Sequence, residues 1–208
     1  MMKKWILAGM AVIAFSLTAT VAFADHSWNG YHWGSDKLSP TVVNKTKSSL
    51  YNVQAVVQEW ADMGTPIQPA LVSGKKGNIV IMESSKISSL GHTDVSVDKN
   101  GHITGAKVYL NTALLEAYGP AAAAQILCHE LGHALGLVHT EIDTDTCMND
   151  TIWPGTATSP NAHDAEQLNL IYGHQDGSSG GESDGDVEVE GRDDEASGGS
   201  KGGGKPSK

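Results

Sequence analysis

Three histidines and a glutamate carry the chemistry in this chain. They are His129, Glu130, His133 and His139, set in the run HELGHALGLVH over residues 129–139. Residues four apart on a helix share a face, so His129 and His133 can aim ring nitrogens at one metal ion. Glu130 follows the first ligand and projects beside the ion rather than at it, within reach of a water held there. His139 lies ten residues past His129, too far along a straight helix to meet the same ion. The chain must therefore turn back, and Gly136 stands where a helix end needs a left-handed residue. Three neutral imidazoles with one position left open are the donor set of a catalytic zinc, whereas structural sites are usually closed by four protein ligands. Zinc in such a site acidifies its water and polarises a carbonyl. Glu130 is then the general base, a role worth about 10²–10⁴-fold in rate.

The elements that must position these residues can be read around them. Gly119-Pro120 starts a helix with Pro at its first position. Residues 121–124 and Ile126-Leu127 give it propensity and an apolar face, and it runs into the ligands. Upstream, residues 29–43 begin as a strand. Ser48 or Ser49 caps a helix through Met63, with Val53, Val56, Val57 and Trp60 on one face, stopped by Gly64-Thr65-Pro66. Residues 78–82 read as a short apolar strand. Val95-Ser96-Val97, a turn at Asp98-Lys99-Asn100-Gly101 and residues 103–110 form a β-hairpin, with Asn-Gly as the turn signal. An irregular acidic loop follows the ligand helix, and a last helix spans about 160–172. This order predicts a mixed α+β domain.

The long histidine motif, followed nine residues later by Met148 in Thr146-Cys147-Met148, resembles the metzincin zinc peptidases, whose motif is closed by a Met-turn beneath the metal. Thr140 after the third His is similar to the matrixin branch. So are Tyr31-His32-Trp33, Ser159-Pro160-Asn161-Ala162-His163-Asp164 and Leu170-Ile171-Tyr172-Gly173. The resemblance spans residues 28–174 and is densest over 125–148. It implies a twisted, mostly parallel five-stranded sheet with three helices and an active-site cleft. It also implies a peptide substrate lying along an exposed strand, here 103–110, and an S1′ pocket walled by the ligand helix and residues 149–158, with Trp153 the largest side chain.

Cys128 directly precedes His129 and Cys147 directly precedes Met148. If Met148 packs beneath the metal, both cysteines lie near one ligand cluster. A disulfide is the first expectation for an exported chain with two cysteines; closing a loop of about twenty residues, it is worth about 3 kcal/mol in the chain-entropy account. The alternatives are a cysteine ligand filling the open position and two free buried thiols. A residue next to a helical ligand points about 100° away from it, which places Cys128 badly as a ligand.

The rest of the 208 residues bounds the function. Lys3-Lys4, the apolar stretch 5–21 and Ala22-Phe23-Ala24 read as an export signal over 1–24, with an uncleaved anchor as the alternative. Residues 25–174 make one domain of ordinary size. Residues 175–208 are rich in Gly, Ser, Asp and Glu, and the composition predicts a disordered tail. That tail holds nine acidic and four basic residues, so it supplies half of the net charge of −10. The acidic balance argues against nucleic acid, whose phosphates need clustered Lys and Arg.

Other candidates carry plainer readings. Glu141, Asp143, Asp145 and Asp150 offer oxygens for Ca2+ but lack the fixed pattern of a calcium loop, so solvated charge is the expectation. By the matrixin resemblance His92, Asp94 and His102 could be remnants of a second, structural zinc site, but the surrounding ligand pattern is missing and they read as surface or hairpin positions; His163 and His174 read as helix-end residues. The sequence thus predicts a secreted, monomeric zinc endopeptidase acting on proteins or peptides, with no nucleic-acid partner and no stable membrane insertion. A thermolysin-like site with Glu141 or Glu166 as third ligand is one rival. An exported binding or adhesion module with a silent metal site is another.

Overall fold

The side chains of β6 (His102–Leu110) tie it to the core. Ile103, Val108 and Leu110 are fully buried and Ala106 nearly so, while Thr104 and Lys107 are exposed, so one face of the strand is turned inward. The computed structural model describes residues 30–140, 145–149 and 157–173. In it β6 pairs in parallel with β4 (Ile79–Glu83), and beyond that lie β2 (Thr41–Asn44) and β3 (Ala70–Leu71), also parallel. The short β1 (His32–Trp33) runs parallel to the start of β6. On the opposite side β5 (Gly91–Val97) pairs antiparallel with β6. Ala106, for instance, faces Ile79 on one side and Val95 on the other.

This topology corrects one expectation. Strand 103–110 is paired on both sides, so the exposed edge belongs to β5, the other arm of the hairpin. The physical reason is in its composition: His92, Asp94 and Ser96 are exposed polar residues, the kind that suits an edge. The turn is as read, with Asp98 Oδ1 accepting from the backbone of Asn100 at 2.8 Å and of His102 at 3.0 Å.

The sheet is mostly parallel, as the resemblance implies, but it has six strands rather than five. Four α-helices, not three, stand among the described residues. The additional helix, α2 (Thr112–Tyr118), is capped by the Asn111 side chain, which accepts from Leu114 N. Its Asn cap and the good helix formers of Ala113-Leu114-Leu115-Glu116-Ala117 were signals available in the sequence. β3, two residues after Pro69, is too short to show a period.

α1 (Val53–Ala61) buries Val53, Val56, Val57 and Trp60, the face read from the sequence. Its start is corrected: Asn52, not Ser48 or Ser49, caps it by accepting from Ala55 N at 3.2 Å. Ser48 instead lies in a loop held by Glu83, whose Oε1 accepts from Lys47 N and Ser48 N. α3 (Pro120–Ala134) packs against β5, β6, α1 and α2, and α4 (Ala162–Tyr172) closes the described chain. Among the described residues no helix is long and apolar enough to cross a membrane.

Candidate metal centre

α3 delivers His129 and His133 from its last turns, and its end delivers the turn that brings back His139. Leu135 is the C-cap and Gly136 follows at φ 103°, a conformation that L side chains rarely adopt. Leu137 N donates to Gly132 O at 3.1 Å and Gly136 N to His133 O at 3.0 Å, the paired bonds of a Schellman ending. A Cβ on Gly136 would also stand 3.1 Å from Tyr31 O and 3.2 Å from the Tyr172 hydroxyl. Past that turn, Thr140 N donates to Met148 O at 3.0 Å, tying the His139 segment to the Met148 segment.

The three imidazoles meet. One ligand atom from each of His129, His133 and His139 lies within 4.8 Å of the others, a grouping that could hold a metal ion. Ring centroids are 4.5 Å apart for His129 and His133, and 4.8 Å for each of these with His139. His129 Nδ1 is 2.7 Å from Cys147 O and His133 Nδ1 is 2.8 Å from Leu137 O. A carbonyl only accepts, so both Nδ1 atoms carry the proton and both Nε2 atoms present lone pairs. Those two Nε2 atoms face each other at 3.0 Å. Two lone pairs at that separation repel unless a cation lies between them, so the donor set fits a bound metal. Burial, reinforced by the His133 and His139 rings, holds His129 well below the usual histidine range, which keeps it neutral and able to ligate.

Met148 is fully buried. A Cβ on Gly132 would come 2.2 Å from Met148 Sδ and 2.9 Å from the Trp60 ring, so the helix is bare where the methionine and tryptophan press against it. Cys128 and Cys147 are joined in a disulfide with Cα atoms 5.9 Å apart; the cysteine-ligand and free-thiol alternatives fall. Met148 N donates to Thr146 Oγ1 at 3.1 Å, and the Thr146 hydroxyl donates to the buried carboxylate of Asp164. Asp164 also accepts from Asn161 N at 2.8 Å in the capping box that starts α4. At the other end of α4 the Tyr172 hydroxyl donates to Leu135 O at 2.6 Å and accepts from Trp33 N at 3.2 Å. Trp33 Nε1 donates to Ala134 O at 2.9 Å, and Trp60 Nε1 to Cys128 O at 3.2 Å.

Glu130 is only 6% exposed and packs against β5. The Thr93 hydroxyl lies 2.6 Å from its Oε2 and 2.9 Å from its main-chain oxygen. Burial pushes its carboxyl up to about 7, with the Thr93 bond, His92 and His139 pulling the other way; a bound cation would add to that opposing pull. Sequence reasoning missed Thr93 and Gly91 because their contact with Glu130 spans nearly forty residues. Thr146 and Asp164 entered only as motif residues and Gly132 with no role of its own, because the contacts of all three are set by packing.

The remaining sequence candidates do not join the histidine cluster, although His92 is near enough to act on the Glu130 carboxyl. His92 Nε2 lies 2.9 Å from Asp94 Oδ1 on the exposed face of β5, and His102 Nδ1 lies 3.6 Å from Asp98. His163 lies 3.8 Å from Glu166, one helical turn along α4. Among the described residues the histidine triad is the one group placed to hold a metal, and neither Glu166 nor Asp145 joins it. Glu141, Asp143, Asp150, Trp153 and His174 lie outside the described residues, as do residues 1–24 and 175–208.

No family model and no curated protein matches the chain. Among solved structures, two of myroilysin are similar at 12% identity. One gives a TM-score of 0.46 over 72% of this chain and 99% of that one. The other gives 0.42 over 65% and 83%. At these scores the likeness carries no weight on function, which rests on the residues of the site.

Proposed function

We propose that this chain is an exported, monomeric zinc endopeptidase of the matrixin type, hydrolysing internal bonds of proteins or peptides. The observation that carries the reading is the convergence of three imidazoles, two of them presenting Nε2 lone pairs, with a buried glutamate on the residue after the first. The all-imidazole donor set suits zinc better than calcium or magnesium, which take oxygen ligands. His129, His133 and His139 would hold the zinc, which when bound would supply a Lewis acid and lower the pKa of a water beside it.

Glu130 takes the proton of the attacking water and passes it to the leaving amine. Burial favours the protonated form of this carboxyl, and a bound cation would favour the charged form; a group that takes up and returns a proton needs both forms within reach. The substrate lies extended along β5, whose outer edge is unpaired among the described strands, and main-chain bonds there supply affinity. The matrixin assignment rests on Thr140 after the third histidine, on the buried Met148 packed against Gly132, and on the closing segment from Ser159. Residues 1–24 act as the leader and 175–208 as a tail outside the catalytic domain.

The test joins metal and base. A chelator such as 1,10-phenanthroline should abolish cleavage of an unfolded protein substrate, and added zinc should restore it. Glu130→Ala should keep about one zinc per chain while turnover falls about 10²–10⁴-fold. Near-normal turnover in that variant removes Glu130 from the mechanism. No cleavage by the zinc-loaded protein of any member of a broad peptide library overturns the endopeptidase reading.

A further inference from the structure

We propose that Thr93 and Gly91, on the inner face of the edge strand β5, are positioning residues for the Glu130 carboxylate: one holds it and the other makes room for it. The inference rests on the endopeptidase reading, in which Glu130 carries the proton.

The two oxygens of Glu130 are handled by two residues of one strand. Thr93 Oγ1 is 2.6 Å from Oε2 and 2.9 Å from the Glu130 carbonyl. A threonine hydroxyl has a single proton to give, and the carboxylate, closer and charged, is the better acceptor. Oε1 lies over Gly91. A Cβ there would stand 2.6 Å from Oε1, 2.7 Å from Glu130 Cγ and 2.7 Å from Ile126 Cγ2. Gly91 is not among the glycines with positive φ, so its backbone would suit any residue. The glycine is explained by what fills the space above it.

Residues 91 and 93 alternate with the exposed His92 and Asp94, so both sit on the strand face turned toward α3. A glutamate side chain has three rotatable bonds, and without these contacts it could swing away from the reacting atoms. Seating it against β5 fixes its register to the strand on which the substrate lies. Small errors in such registration are expensive in rate.

Thr93→Val removes the hydroxyl and keeps the shape; Thr93→Ser keeps the hydroxyl; Gly91→Ala pushes where Thr93→Val releases. Kinetics on a fluorogenic peptide, zinc content, thermal stability and crystal structures are measured for each. Thr93→Val should lower kcat about 10- to 100-fold, the usual worth of a hydrogen bond to a charged group. KM and zinc content should stay close to those of the unaltered protein, and any fall in melting temperature should leave the variant fully folded at the assay temperature. Thr93→Ser should recover most of the loss, and Gly91→Ala should lower kcat as well. In a Glu130→Ala background Thr93→Val should cost nothing further. In the Thr93→Val crystal structure the Glu130 carboxylate should have left its seat on β5. An unmoved carboxylate, an unchanged kcat, or a loss that tracks zinc content or stability overturns the proposal. If the unaltered protein cleaves nothing, the endopeptidase reading fails, and the crystal structures still decide whether the strand seats the carboxylate.

Discussion

The two sides of the histidine cluster are built differently. Below it, a disulfide, a buried methionine, a Thr146–Asp164 bond and the Tyr172 hydroxyl tie α3 to the Met148 segment and to α4. Above it, the Glu130 carboxylate meets an edge strand through one hydroxyl and one missing Cβ. Much of the lower side is covalent or fully buried, so its cost of rearrangement is high. The upper side is a single contact surface on a polar strand. On the proposed function the difference separates two properties that a single centre could have shared: the lower side would govern how well metal is held, and the upper side what the glutamate can do with it.

The largest way to break this division is to remove the ligand that depends on the turn. His139→Ala leaves two imidazoles, and zinc affinity should fall by orders of magnitude, because two-ligand sites are rare among stable zinc centres. Competition with a chromophoric chelator measures it. Full zinc occupancy with normal cleavage would show that His139 is not the third ligand, and Glu141 would then become the residue to test. Next in size is the disulfide. The Cys128→Ala, Cys147→Ala double variant should lose about 2–5 kcal/mol of stability in chemical denaturation. Zinc affinity should drop with it, since Cys147 O orients His129 and the bridge holds Cys147 against α3. A loss of stability with unaltered zinc affinity would mean that the hydrogen bonds alone set the ligand geometry.

How much of this was legible in the sequence follows the same division. The ligand helix declares itself because its information is local: a four-residue spacing, a glycine at a helix end and a proline at a helix start are all read within one run of chain. The hydrophobic face of α1 was legible for the same reason, through Val53, Val56, Val57 and Trp60. Its cap was not, because Ser48, Ser49 and Asn52 are all acceptable caps and the choice fell to tertiary bonding of the preceding loop to Glu83. The hairpin was legible, but which arm forms the edge was not. That depends on β4 pairing with β6 from a distant part of the chain, although the polar composition of β5 was a usable hint. Thr93 and Gly91 are unremarkable in sequence. Their importance arises only when β5 is laid against α3.

The smallest effect should come from the far end of the lower side. The Tyr172 hydroxyl donates to Leu135 O and accepts from Trp33 N, linking α4, the end of α3 and the first strand at the turn that leads to His139. Burial pushes this phenol well above its usual pKa, so it stays a neutral donor across the working range. Tyr172→Phe keeps the ring and leaves a buried carbonyl and a buried N–H without that partner. The expected cost is about 1–2 kcal/mol, the penalty of a buried polar group losing its hydrogen bond, read as a shift in denaturation midpoint. The neighbouring ligands keep their own anchors, since His133 Nδ1 is held by Leu137 O and Thr140 N by Met148 O. Zinc-saturated turnover should therefore stay within about twofold, because no bond to Glu130 or to a ligating ring is removed. A large drop in turnover at full zinc would mean that the α4 contact reaches the upper side of the centre, and the two sides would have to be treated as one cooperative unit.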